Sequence, residues 1–202
     1  ARLADDLENR IVYTEIIDEY RAFIEQRDMF WLATVDHSGR PTVSYKGGDP
    51  GFVRVLDQYT IAFPSYDGNG MYYSMGNIAG NEQVGLLFTD FENPFRLRVQ
   101  GTATIDNQDP LLETYKEAQL VVRVRVSEIF RNCPRYVHRH ERVETSRFVP
   151  RDGVETPVAE WKRIHEIQEL LTPEDRARAA KEGPLQTRAE YDAKMAARVF
   201  KT

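Results

Sequence analysis

The sequence predicts an α+β fold that is mainly β: an antiparallel sheet closed into a barrel, with flanking helices and a helical C-terminal extension. Two observations predict it. Between Met29 and Phe30 at one end and Phe130 at the other, short β-rich segments recur, separated by turns rich in glycine, proline and aspartate. The longest segments also alternate: Leu97, Val99 and Gly101 stand against Arg96, Arg98 and Gln100, and Val122, Val124 and Val126 against Arg123 and Arg125, as in strands with one wet face. Closing six or seven such strands into a barrel removes the edges they would otherwise expose.

In chain order, Leu7, Ile11, Ile16, Ile17, Tyr20, Phe23 and Ile24 recur near helical spacing and predict an amphipathic first helix, within an N-terminal segment 1–28. Phe30 to Val35, the turn Asp36 to Arg40 and Pro41 to Lys46 read as a hairpin. Two more strands follow, Phe52 to Leu56 and Tyr59 to Phe63, and then a loop from Pro64 to Gly70. Met71 to Ile78 predicts a short helix ending between Gly76 and Gly80. Val84 to Thr89 and Phe95 to Ile105 are strands joined by a polar turn. Asp109-Pro110 opens a helix to about Ala118, with proline where its missing N–H costs least, and Leu120 to Phe130 is the last strand. The strand-rich domain is expected over 29–140. In the extension 141–202, Trp161, Ile164, Ile167, Leu170 and Leu171 predict an amphipathic helix, and Thr172 to Thr202 reads as helical and partly mobile.

Composition narrows the functions. With 202 residues, 41% hydrophobic and 29% charged, the chain is an ordinary globular one with one sizeable core. No apolar run approaches the roughly 20 residues of a membrane-spanning helix. The polar start Ala1 to Asp6 lacks a secretory pattern, so the expected location is the cytoplasm. Cys133 is the only cysteine, which excludes an internal disulfide or a cysteine-rich metal site. A net charge of −5 argues against broad nucleic-acid binding, so an anionic ligand must be met locally.

Two loops offer that local charge. In Thr42-Val43-Ser44-Tyr45-Lys46-Gly47-Gly48, a lysine ends a strand and is followed by glycines, which presents one point charge plus backbone N–H groups to a phosphate. The same residues also read as a turn with a solvated lysine. Phe63 to Met71 ends at a predicted helix start, where free N–H groups and the helix dipole favour an anion, with Ser65, Asn69 and Ser74 as further donors. It reads equally as an ordinary strand–loop–helix junction.

The stretches Phe30 to Pro41, Ser44-Tyr45-Lys46-Gly47-Gly48, Asp67-Gly68-Asn69-Gly70-Met71 to Asn77-Ile78 with Asn81, Val84 to Phe88 and Arg96 to Gly101 resemble the flavin-nucleotide-binding relatives of pyridoxamine 5'-phosphate oxidase. The resemblance implies a six-stranded split barrel, a homodimer, and FMN in a groove between the subunits. It places Lys46 where the family has a basic residue of the second strand, with Ser44 and Tyr45 before it beside the flavin and Gly47 after it also binding the cofactor, Ser65 at the end of the strand pairing, Asn69, Gly70, Ser74 and Asn77 near the phosphate, and Arg135 with Tyr136 at the dimer seam or the cofactor rim. The oxidase's several basic residues at the second loop and its C-terminal Arg-Leu-x-Pro motif have no counterpart here.

Cys133 reads as a partly buried structural cysteine, and His138 and His140, flanked by arginines, as solvated rather than metal-binding. With FMN bound, the isoalloxazine performs the redox step, so the resemblance implies a small-molecule oxidoreductase working by hydride transfer, with no catalytic acid or base identified. The alternatives are a non-enzymatic flavin carrier and a split barrel holding deazaflavin or haem.

Overall fold

The computed structural model describes residues 10–199 together with Leu3 and Asp6. The chain divides into two compact units, one ending at Glu144 and one beginning at Thr145.

The first unit begins with a correction. The single helix expected over Leu7 to Ile24 is interrupted: Tyr13 pairs with Ile129 through two backbone hydrogen bonds (2.9 and 2.8 Å), and the Ile16 N–H donates to the Gln58 carbonyl at 2.7 Å. Its part before Arg10, Leu7 included, lies outside the described residues. Arg10 and Ile11 are helical, but Tyr13, between β-branched Val12 and Thr14, takes the extended partner offered by the neighbouring strand. Helix α1 (Asp18–Glu25) starts only afterwards, with Asp18 and Glu19 at its dipole's positive end.

Seven strands then form one antiparallel sheet: β1 (Met29–Val35), β2 (Pro41–Gly47), β3 (Arg54–Asp57), β4 (Thr60–Tyr66), β5 (Gln83–Asp90), β6 (Phe95–Asp106) and β7 (Ala118–Asn132), in the order β2-β1-β5-β6-β7-β4-β3. This corrects the expected six strands: there are seven, and the pairing is open, with β2 and β3 as edges. The sheet nevertheless curls. Phe30 of β1 and Phe63 of β4 are four strands apart, about 19 Å in a flat sheet, yet their rings lie 4.9 Å apart. Phe30 also packs on Phe52 (5.9 Å) and Phe88 (5.1 Å), and one buried cluster draws on strands from both ends of the sheet.

A bulge helps to produce that curl. Val122, Val124 and Val126 face the core, but the next buried residue is Ile129, because Gln100 pairs with Glu128 while Gly101 pairs with Val126. Ser127 is the extra residue, and such an insertion bends and twists the strand. A β-carbon on Gly101 would stand 2.2 Å from the Arg125 carbonyl oxygen, so only glycine fits opposite the bulge.

Three boundaries differ from expectation. β4 runs on through Pro64 and Ser65 to Tyr66, where a loop was expected; β3 pairs only as far as Ala62, so Pro64 has a strand on one side alone, the condition proline needs. The third strand starts at Arg54, because the Phe52 N–H closes a turn on the Asp49 carbonyl (2.9 Å). The helix expected from Asp109 is one 3₁₀ segment, Pro110–Thr114, capped by the Asp109 carboxylate on the Leu111 N–H (2.9 Å); Glu117 at φ 57° then turns the chain into β7. The short helix α2 (Tyr73–Gly80) lies between β4 and β5, as expected.

In the second unit, the helix expected at Trp161 to Leu171 is instead two 3₁₀ segments, Glu160–Arg163 and His165–Leu170. The Gln168 amide occupies the carbonyls of Lys162 and Ile164 (both 2.8 Å), and Ile164 forms a parallel bridge with Gln186; both draw the backbone away from α-helical pairing. Helices α3 (Pro173–Glu182), N-capped by Thr172, and α4 (Arg188–Val199) follow. Among the described residues, no helix is long and apolar enough to cross a membrane.

Candidate functional site

Strand alternation sets Thr42, Ser44 and Lys46 on one face of β2 and Val43 and Tyr45 on the other. Helix α2 lies against the first face and is tied to it by two polar contacts. The hydroxyls of Thr34 and Thr42, cross-strand partners, lie 2.7 Å apart, and the Asn77 amide donates to both, at 3.0 and 3.2 Å. One step along, the hydroxyls of Ser44 and Ser74 lie 2.8 Å apart. Strand residues 42 and 44 thus meet helix residues 77 and 74, the strand ascending as the helix descends.

At the next step there is no third contact; there is a groove of about 410 Å³. Lys46 and the start of α2 both line it, with Ser44, Ser65 and Ser74 contributing hydroxyls. The Lys46 ammonium has no charge or hydrogen-bond partner among the described residues, and burial lowers its pKa below the ordinary lysine value. The N–H groups of Tyr73, Ser74 and Met75, the first turn of α2, have no hydrogen-bond partner among the described residues, since the first bond of the helix runs from the Gly76 N–H to the Tyr72 carbonyl at 2.7 Å. None of the lining residues is acidic. A desolvated cation lining the same groove as unpaired N–H donors attracts an anion.

Three tyrosines, Tyr66, Tyr72 and Tyr73, and Met75 line the apolar side of the groove. Burial raises the phenol pKa of Tyr66, with the Asp49 carboxylate adding to it, and that of Tyr45, with Asp28 adding to it, so both rings are neutral donors at neutral pH. Tyr72 precedes the helix in the left-handed region (φ 49°), with no side-chain cap.

The structure gathers seven of the ten residues singled out in the sequence around this groove: Ser44, Tyr45, Lys46, Ser65, Asn69, Gly70 and Ser74. Asn69 folds back, its side-chain oxygen accepting from the Met71 N–H at 3.1 Å, and Gly70 sits at φ 75°, so it is also the residue the turn requires. Gly47 is next to Lys46 but outside the lining, and a β-carbon there would meet the Tyr45 ring at 2.8 Å. Asn77 commits its amide to Thr34 and Thr42, outside the groove. Arg135 is exposed in the turn after β7 and does not line it. Sequence reasoning missed Tyr66, Tyr72 and Tyr73. An aromatic pair at a helix start cannot place both rings in the core, and that was the available signal.

Cys133 corrects its expectation: the thiol is exposed, because the chain has left the sheet one residue earlier, and only its carbonyl is engaged, by Arg96. His138 and His140 are exposed, the His140 ring tilted against Phe91 with centroids 5.1 Å apart. Among the described residues there is no cluster of three His, Cys, Asp or Glu able to hold a metal ion.

The family model described as pyridoxamine 5'-phosphate oxidase matches residues 16–154, spanning the whole sheet and the groove. The chain belongs to the pyridoxamine 5'-phosphate oxidase family. No curated protein matches the sequence. Solved structures similar to this family member include a candidate pyridoxamine 5'-phosphate oxidase from Lactobacillus delbrueckii, at 24% identity over 58% of this chain and 95% of that one, with a TM-score of 0.47. An FMN-binding protein from Syntrophomonas wolfei is 13% identical over 65% and 92%, with a TM-score of 0.46. The haem storage protein HutZ from Vibrio cholerae is 20% identical over 57% and 93%, with a TM-score of 0.41. Likenesses of this size transfer no ligand to this chain.

Proposed function

We propose that the groove holds FMN and that the protein is an FMN-binding flavoprotein, a small-molecule oxidoreductase working by hydride transfer at the flavin. The observation that carries this reading is Lys46: a desolvated, unpartnered ammonium lining the same groove as the unpaired N–H groups of α2, with no acidic residue in the lining. The donor set suits a phosphate monoester: Lys46 supplies charge, Tyr73 to Met75 supply backbone N–H groups, and the Ser44, Ser65 and Ser74 hydroxyls supply the rest. Tyr66, Tyr72 and Tyr73 offer the flat apolar surfaces a fused ring system needs. When bound, FMN supplies the hydride chemistry, and the chain's part is to bind and orient it.

The reading includes a homodimer. Val43 and Tyr45 are 68% and 63% exposed on edge strand β2, and Trp31 and Leu87 continue their row across β1 and β5; a second copy would cover this strip. Sedimentation of the flavin-loaded protein as a monomer at micromolar concentration would remove this part of the reading.

The main test is a fluorescence titration of flavin-free protein with FMN. Lys46→Ala is expected to weaken binding by about 1–3 kcal/mol, the range for a lost charge-assisted hydrogen bond, with folding intact. Unchanged affinity in the folded variant sinks the reading. The chromophore released from freshly purified protein is expected to be FMN, rather than deazaflavin or haem.

A further inference from the structure

The knot made by Asn77, Thr34 and Thr42 binds nothing itself, yet its place suggests a role. Thr34 is 1% exposed, and its hydroxyl, that of Thr42 and the Asn77 amide satisfy one another. The knot is the first rung between β2 and α2, Ser44 with Ser74 is the second, and the third position is where Lys46 and the free first turn of α2 line the groove. The helix has only eight residues, so its N-terminal turn is positioned by whatever anchors its body. Its flanks offer little: Tyr72 gives no side-chain cap, and the loop before it contains Gly68, with no atom near its β position, and Gly70 at φ 75°.

We propose that Asn77, through Thr34 and Thr42, is the positioning residue of the groove, setting the distance between the N–H groups of α2 and Lys46 and so the affinity for the ligand's phosphate. The two hydrogen bonds are directional, and an apolar contact of equal volume would let the helix slide along the strand. Met75 and Ile78 bury the helix on the core through non-directional packing and Ser44 with Ser74 fixes one point, whereas two polar rungs fix a direction. The inference rests on the FMN reading above and adds a residue that touches no ligand.

Riboflavin, which is FMN without its phosphate, separates this role from a structural one. Dissociation constants for FMN and riboflavin are measured by fluorescence titration for the unaltered chain, Asn77→Leu, Thr42→Val and Thr42→Ser, with the thermal midpoint of each flavin-free protein. The expected result is a loss of FMN affinity of about ten-fold in Asn77→Leu and Thr42→Val, the scale of one or two lost hydrogen bonds. Riboflavin affinity stays unchanged, and Thr42→Ser, which keeps the hydroxyl, retains FMN affinity. Equal losses for both flavins, or undiminished FMN affinity in Thr42→Val, overturn the proposal. Should Asn77→Leu fail to fold, the near-isosteric Thr42→Val decides alone. A wild type that prefers riboflavin or shows no preference for FMN overturns the phosphate reading itself, and the positioning role with it.

Discussion

Lys46 is the residue on which most of the chemistry turns. Its only resolved influence is desolvation, which disfavours the charged form and lowers its pKa from the ordinary 10.5. In the flavin-free protein the charged lysine therefore costs stability at pH values below that lowered pKa. The cost disappears as pH rises between the folded and unfolded values, because the unfolded chain then holds the extra proton. A bound phosphate acts in the opposite sense and favours the ammonium. FMN affinity is thus expected to be full below the pKa of Lys46 in the free protein and to fall as pH rises through it, beginning below 10.5. At the acid end it falls again near pH 6, where a phosphate monoester gains its second proton. Titrations from pH 5 to 10 check both limbs: in Lys46→Met the alkaline limb should vanish and the acid limb remain. A wild-type profile flat on the alkaline side would remove Lys46 from the phosphate.

At the scale of elements, the β6–β7 pair shows how local sequence shapes the sheet that carries the groove. The alternation of β7 breaks at Ser127-Glu128, and the register shift falls opposite Gly101. With the Arg125 carbonyl oxygen 2.2 Å from where its β-carbon would be, Gly101→Ala cannot be accommodated by a side-chain movement, since the obstacle is backbone. The expected loss is about 1–3 kcal/mol, as for overpacking elsewhere, read from the urea midpoint. Gly85, whose β position has nothing nearer than 3.7 Å, is the control: Gly85→Ala should change stability far less. Equal effects at the two sites would show that loss of glycine, and not the bulge, is what matters.

Across the first unit, the curl of the sheet depends on aromatic packing, because no hydrogen-bonded pairing joins β2 to β3. Phe30 is the contact that spans it, touching Phe52, Phe63 and Phe88, and it is fully buried. Phe52 in turn lies under Gly48, where a β-carbon would meet its ring at 2.4 Å, so the same cluster supports the loop that follows Lys46. Phe30→Ala is expected to cost about 3–5 kcal/mol, measured by urea unfolding, and to weaken FMN binding in the fraction that stays folded. A loss below 1 kcal/mol would mean that the curl is held elsewhere.

The strands were legible in the sequence because a half-buried strand needs only local alternation, and Leu97/Val99 against Arg96/Arg98 states it directly. So was the neighbourhood of Lys46, Ser65, Asn69 and Ser74, which line one groove, since glycine-rich turns and a helix start are local features, and the family resemblance placed them together. What sequence alone left open depended on contacts between distant residues. The extended path of Tyr13 is decided by Ile129, the 3₁₀ turns after Glu160 by Gln168 and Gln186, and the roles of Tyr66, Tyr72 and Tyr73 by a groove that three separate elements enclose. Asn77 is the clearest case. The sequence marks it as a polar residue on a helix near a candidate phosphate loop, and only the tertiary structure, by bringing Thr34 and Thr42 within 3.2 Å, turns its amide away from the groove and onto the strand. Local periodicity determines which elements form, but a hydrogen bond needs both partners at one distance and angle, and that is set only when the sheet and helix have packed together.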